Sequence, residues 1–157
     1  MTTPTPNHSP ASERQIIITR TFNAPRDLVW KMFTEPGHIK RWWGPKGFTT
    51  PVCEIDLRVG GIWHYVLRSP DGFEFAVDQI YHEIKAPERI VYGQSAATPE
   101  SEETTHTLTF EQLDGQTKVT LISQFSTDAE YDETVRRGFA VGVGEGLDTL
   151  EEYLKTL

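Results

Sequence analysis

At 157 residues, 37% hydrophobic and 24% charged, the chain has the size and composition of one globular domain that buries about two-thirds of its unfolded surface. A formal net charge of −8, with the 15 lysines and arginines scattered along the sequence, opposes phosphate backbones and argues against nucleic-acid binding. No apolar run approaches the ~20 residues that cross a bilayer, and the lone Cys53 excludes an internal disulfide and fits the reducing cytoplasm.

Residues 1–14 read as a disordered tail, because Met1 to Ser12 is rich in Pro, Thr and Ser and has neither the basic start nor the apolar core of a secretory signal. Residues 15–157 read as a single domain. Gln15 to Phe22 (QIIITRTF) has the β-branched content of a strand and stops at Asn23-Ala24-Pro25. A helix then runs from Pro25 to Thr34, with Asp27 in its first turn and Leu28, Val29, Met32 and Phe33 on a buried face. Glu35-Pro36-Gly37 breaks it, and a second short helix reaches to about Trp42.

From Phe48 onward the signals are those of antiparallel strands: Phe48 to Leu57, Ile62 to Arg68, Glu74 to Ile84, Arg89 to Gln94, Thr104 to Glu111 and Lys118 to Phe125. Gly60-Gly61, Pro70-Asp71-Gly72, Ala86-Pro87, a loop near Ser95 to Glu102, and Asp114-Gly115 connect them. Within the last two strands, His106, Leu108 and Phe110 alternate with threonines, and Val119, Leu121, Ser123 and Phe125 alternate with Thr120, Ile122 and Gln124. One sheet face is therefore packed and the other wet.

Thr127 and Asp128 cap a final helix that is expected to run unbroken to the C-terminus, burying Phe139, Val143, Leu147, Leu150, Leu154 and Leu157. Its glycines at 138, 142, 144 and 146 each cost about 1 kcal/mol against alanine in a helix interior. Gly138, Gly142 and Gly146 fall on one ridge, so either another backbone approaches closely there or a void lies beneath the helix. The GVGEG run is not a dinucleotide fingerprint, since no strand precedes it and the spacing differs.

Several pieces, in order, resemble one known family: ITRTFNAPRDLVW, WWGPKGF, the DLRVGG hairpin, the SPDG turn, YHEIKAPERIVYG and GEGLDTLEEYL. Together they are similar to the START-like (SRPBCC) superfamily, and within it to the branch related to the C-terminal domain of the activator of the 90-kDa heat-shock protein ATPase. The resemblance implies an α+β helix-grip fold: a seven-stranded curved antiparallel sheet wrapped on a long C-terminal helix, with two short helices forming an elbow after the first strand. It also implies a cavity between sheet and helix. Arg58, ahead of Gly60-Gly61, matches the arginine of the family's DxRxGG turn.

The expected lining is Trp43, Trp63, Tyr65, Phe75, Tyr81, His106, Phe110 and Phe139: large apolar groups with a few polar ones, the composition of a small-molecule pocket and equally of a core. Trp42 and Trp43 read first as anchors of the elbow, and His106 as a core histidine satisfied by a neighbour. His64 should face outward. Cys53 has no histidine or lysine-rich context to activate it, and the five histidines show no metal-ligand spacing, so neither nucleophile, metal nor cofactor is assigned. Three readings follow: a carrier of a small hydrophobic molecule; an interaction module partnering a chaperone or other protein; and an enzyme like the polyketide cyclases, with His106 and Tyr65 as its acid-base candidates. A monomer or weak homodimer is expected.

Overall fold

The computed structural model of the protein describes residues 14–94 and 104–157. The tail expected over 1–14, apart from Arg14, and the loop near Ser95 to Glu102 lie outside the described residues. The elements are β1 (Gln15–Phe22), α1 (Arg26–Thr34), α2 (Pro36–Ile39), β2 (Thr49–Ile55), β3 (Ile62–Arg68), β4 (Glu74–Lys85), β5 (Arg89–Gln94), β6 (Thr105–Gln112), β7 (Thr117–Gln124), α3 (Asp128–Arg136) and α4 (Phe139–Leu154). The strands form one seven-stranded sheet in the order β1-β7-β6-β5-β4-β3-β2, every neighbouring pair antiparallel. Successive hairpins build β2 through β7, and β1 closes on β7 from the far side, leaving β1 and β2 as the edges.

Register settles which residues share the packed face, because directly opposed residues in an antiparallel pair point the same way. One row runs Tyr81–Tyr92–His106–Ser123–Ile16 and the next Ile84–Ile90–Leu108–Leu121–Ile18. Tyr81, Tyr92, His106, Ser123, Ile90, Leu108 and Leu121 are all buried. The strand alternation read from sequence therefore places the correct face inward.

The elbow of α1 and α2 packs Val29, Trp30, Met32, Phe33 and Ile39 against that face. Trp42 holds the elbow closed. Its ring is buried edge-on to Phe33, and its indole N–H donates to the Met32 carbonyl at 3.0 Å. Thr50 secures the next segment by donating to the Trp43 carbonyl at 3.0 Å.

The C-terminal helix is broken, contrary to expectation. Gly138 adopts a left-handed conformation, φ 76°, ending α3 and starting α4, so the chain turns where a continuous helix was read. The glycine belongs to the junction rather than to a helix interior. Thr127 caps α3 as expected, its hydroxyl accepting from the Glu130 N–H at 3.2 Å. α3 buries no residue, whereas α4 buries Leu147 and Leu150 against the sheet, and Leu157 lies past the helix end, 57% exposed.

Candidate functional site

The remaining glycines of the ridge explain how α4 lies over the sheet. A Cβ on Gly146 would stand 3.1 Å from the Gly44 carbonyl oxygen and 3.3 Å from that of Trp42. Only a bare backbone lets α4 approach the Trp42–Pro45 turn so closely. One turn earlier, a Cβ on Gly142 would meet the Pro45 ring at 3.3 Å. Just there the contact opens into a cavity of about 260 Å³ between α4, the turn and the sheet. Both alternatives for the ridge are thus realised within one helix turn of each other.

The cavity wall is aromatic on the elbow and β3 side, from Phe33, Trp42, Trp43 and Tyr65, and aliphatic on the sheet floor, from Leu108, Val119, Leu121 and Ile18. Phe139, Val143 and Leu147 cover it from α4, and Tyr92 closes it from β5. Trp43 is the hinge of this wall, with T-shaped contacts to Trp42, Trp63 and Tyr65 at 5.4, 4.8 and 5.8 Å. Arg137 supplies the charged side chain of the lining; it is 77% exposed and bonded to Glu133 at 2.9 Å.

Of the eight residues expected at the site, the fold brings Trp43, Tyr65 and Phe139 to the cavity. Trp63, Tyr81, His106 and Phe110 are buried on the same concave face but outside its lining. Phe75 shares that face through its pairing with Leu67, yet stands at the open end of the sheet and is 52% exposed. Tyr92, Leu108, Leu121 and Val143 are among the wall residues outside that set. Tyr92 was detectable in the alternation of Ile90 and Tyr92 along β5, while Pro45 and Gly142 arrive through an approach between distant segments that periodicity does not encode.

Away from Arg137 the cavity wall carries no charged side chain. Burial pushes the Tyr65, Tyr81 and Tyr92 hydroxyls above their ordinary value, and Tyr92 further so because the other two lie near it. His106 is pulled down to about 4 by burial. Its Nδ1 is 2.7 Å from the Ser123 hydroxyl and its ring stacks on Tyr92 at 5.0 Å, the satisfied core histidine read from sequence. Cys53 has its thiol raised by burial, the opposite of an activated nucleophile. His64 pairs outward with Asp78, and Arg58 braces its own turn by bonding Asp56 at 2.8 Å. Among the described residues no cluster of His, Cys, Asp and Glu is fit to hold a metal, and no helix is long and apolar enough to cross a membrane.

A curved antiparallel sheet gripping a C-terminal helix over a partly open apolar cavity defines a START-like domain of the helix-grip type. Solved structures share the fold over nearly the whole chain. A protein from Nitrosomonas europaea matches with a TM-score of 0.83 at 26% identity, over 90% of this chain and 94% of that one. A protein from Staphylococcus epidermidis matches at 0.79 and 26%, over 97% and 94%. A Rhodobacter sphaeroides protein matches at 0.84 and 21%, over 95% and 97%. No curated protein matches the chain. The family model described as "Activator of Hsp90 ATPase homolog 1-like protein" matches residues 23–155, and the chain belongs to that family.

Proposed function

We propose that the protein binds a small, largely apolar molecule in the cavity between sheet and α4, as a cytoplasmic carrier or sensor rather than through catalysis. The observation that carries this reading is the partly open 260 Å³ space, lined mainly by apolar and aromatic side chains, in a fold whose other concave-face residues are well packed. A packed interior leaves few voids larger than a water molecule, so a space of this size asks for an occupant. Of the two acid-base candidates, His106 faces Ser123 and Tyr92 and does not reach the lining, while Tyr65 lines the cavity with its hydroxyl held protonated by burial, which leaves the enzyme reading without a base in contact with a bound molecule.

Native mass spectrometry of the protein as purified from cells, followed by thermal melting against a panel of small hydrophobic compounds, tests the reading. A co-purifying adduct, or a melting temperature that climbs with the logarithm of ligand concentration, is the expected result. No adduct and no shift would overturn it. The second reading is a surface-acting module that docks a chaperone or another protein. The description of its family favours it, as do Phe73 and Phe75, exposed by 68% and 52% at the β3–β4 hairpin.

A further inference from the structure

Two tyrosines that line the cavity, Tyr65 from β3 and Tyr92 from β5, keep hydroxyl protons that the fold does not use. The other polar side chains of the wall are engaged. Trp42 gives its indole N–H to the Met32 carbonyl, and the exposed Arg137 pairs with Glu133. Tyr92 is the clearer case. It is only 3% exposed, its ring lies against His106 and Trp63 at 5.0 and 5.5 Å, and no described residue hydrogen-bonds its hydroxyl. Among the described residues, the buried side-chain atoms sealed without a partner are Trp63 Nε1 and Gln79 Oε1. The Tyr92 oxygen is not one of them, so it opens onto a space, and the space that Tyr92 borders is the cavity.

Tyr65 offers the matching group. A tyrosine hydroxyl has one proton and two lone pairs. Gln79 Nε2 donates to this one at 3.4 Å and the Trp43 indole N–H donates as well, so both lone pairs are taken and the proton is left over. Burial keeps both tyrosines protonated, and the Tyr92 hydroxyl lies near that of Tyr65.

Neighbouring O–H donors in an apolar wall select their guest, because a buried donor left unmet carries its full desolvation penalty. An ammonium brings only more donors. A hydroxyl accepts from Tyr65 and donates to Tyr92, which leaves the Tyr92 proton unpaired. A carboxylate accepts from both but brings its charge into a wall whose one cation is 77% exposed and bonded to Glu133. A carbonyl oxygen has two lone pairs and no proton, so it meets both donors and adds none. The rest of the guest is small, since 260 Å³ falls just under the ~300 Å³ at which ordinary ligand pockets begin. Trp43 and Phe139, on opposite walls, favour a ring between them.

We infer that the cavity takes a small neutral ketone with an apolar body of single-ring size, its carbonyl oxygen accepting hydrogen bonds from Tyr65 and Tyr92. The inference rests on the ligand-binding reading and specifies the class of ligand. Gln79 and Trp43 position the Tyr65 proton by occupying its oxygen, and they do not touch the guest.

Calorimetric titration of the full chain with acetophenone, 1-phenylethanol and cumene tests it. The three share one skeleton and carry a carbonyl, a hydroxyl or a second methyl at the same carbon. The wild type should bind acetophenone several-fold tighter than 1-phenylethanol. Tyr65→Phe and Tyr92→Phe should each weaken acetophenone about tenfold, the scale of one buried hydrogen bond, and leave cumene unchanged; the retained cumene binding reports that the variants fold. An alcohol bound as tightly as the ketone, or a ketone affinity that either substitution leaves unmoved, would overturn the inference with the cavity reading intact. Binding of none of the three would overturn both.

Discussion

Acid should loosen this protein through one buried histidine. His106 is 7% exposed, surrounded by Ser123, Tyr92 and Phe139, and no charged group stands beside it to stabilise an imidazolium. Burial lowers its pKa from 6.5 to about 4 in the folded chain. Between those values the unfolded chain binds a proton that the folded chain refuses, so stability is fully present above about pH 6.5, falls as pH drops towards 4, and loses nothing more from this group below that. At ~1.4 kcal/mol per pH unit the whole effect is about 3 kcal/mol, most of it delivered above pH 4.5. Urea denaturation of the wild type and of His106→Gln at pH 7, 6, 5 and 4.5 measures it. Glutamine keeps a polar partner for Ser123 but cannot titrate. The variant should start less stable at pH 7 and show a much flatter decline, so that the two curves converge at pH 4.5. Parallel curves would refute the argument, by showing that His106 finds a proton-stabilising partner or that the site opens to water.

Four further substitutions probe the α4 contact, the β2–β3 turn and the cap of α3. Gly144→Ala meets open space and should stabilise by up to about 1 kcal/mol through helix propensity, whereas Gly146→Ala drives a methyl against two backbone carbonyls and should destabilise by about 1–3 kcal/mol, read as opposite shifts of the melting temperature. Gly61→Ala would place its Cβ against the Asp56 carbonyl oxygen, so the β2–β3 turn must rearrange and the variant should lose more stability than Gly146→Ala in the same assay. Thr127→Ala removes the cap of a helix that buries nothing, and amide exchange across α3 should quicken about fivefold, for a loss of ~1 kcal/mol, with little change in the global melting temperature.

Much of the architecture was legible because it rests on short-range rules. Gln15–Phe22, Ile62–Arg68 and Arg89–Gln94 fall where β-branched and aromatic runs meet turn residues, and the alternation from His106 to Phe110 and from Val119 to Phe125 fixes the buried face without reference to any partner. What stayed hidden depends on where segments meet. Apolar spacing continues through residue 138, so the helix break there needed the backbone angle and not the pattern to be seen. Phe75 has the right parity but lies beyond the cover of α4, and parity says nothing about how far a helix reaches. The aromatics Trp63, Tyr81 and Phe110 belong to the concave face as expected, yet the open space formed one layer away, where Gly142 and Pro45 hold α4 off the floor. Composition marked the wall and left its position to the packing.

The account stands on the cavity being a site that a small molecule enters. Proton–nitrogen and methyl correlation spectra of the full chain, recorded during titration with the small hydrophobic compound that raises the melting temperature most, locate binding residue by residue. The account predicts saturable shifts centred on the Trp43 indole N–H and the methyls of Val143, Leu108 and Leu121, all suppressed in Val143→Phe, which fills the space. Shifts confined to the exposed β3–β4 hairpin around Phe73 and Phe75, or unaltered in the filled variant, would contradict it and move the function to the outer surface.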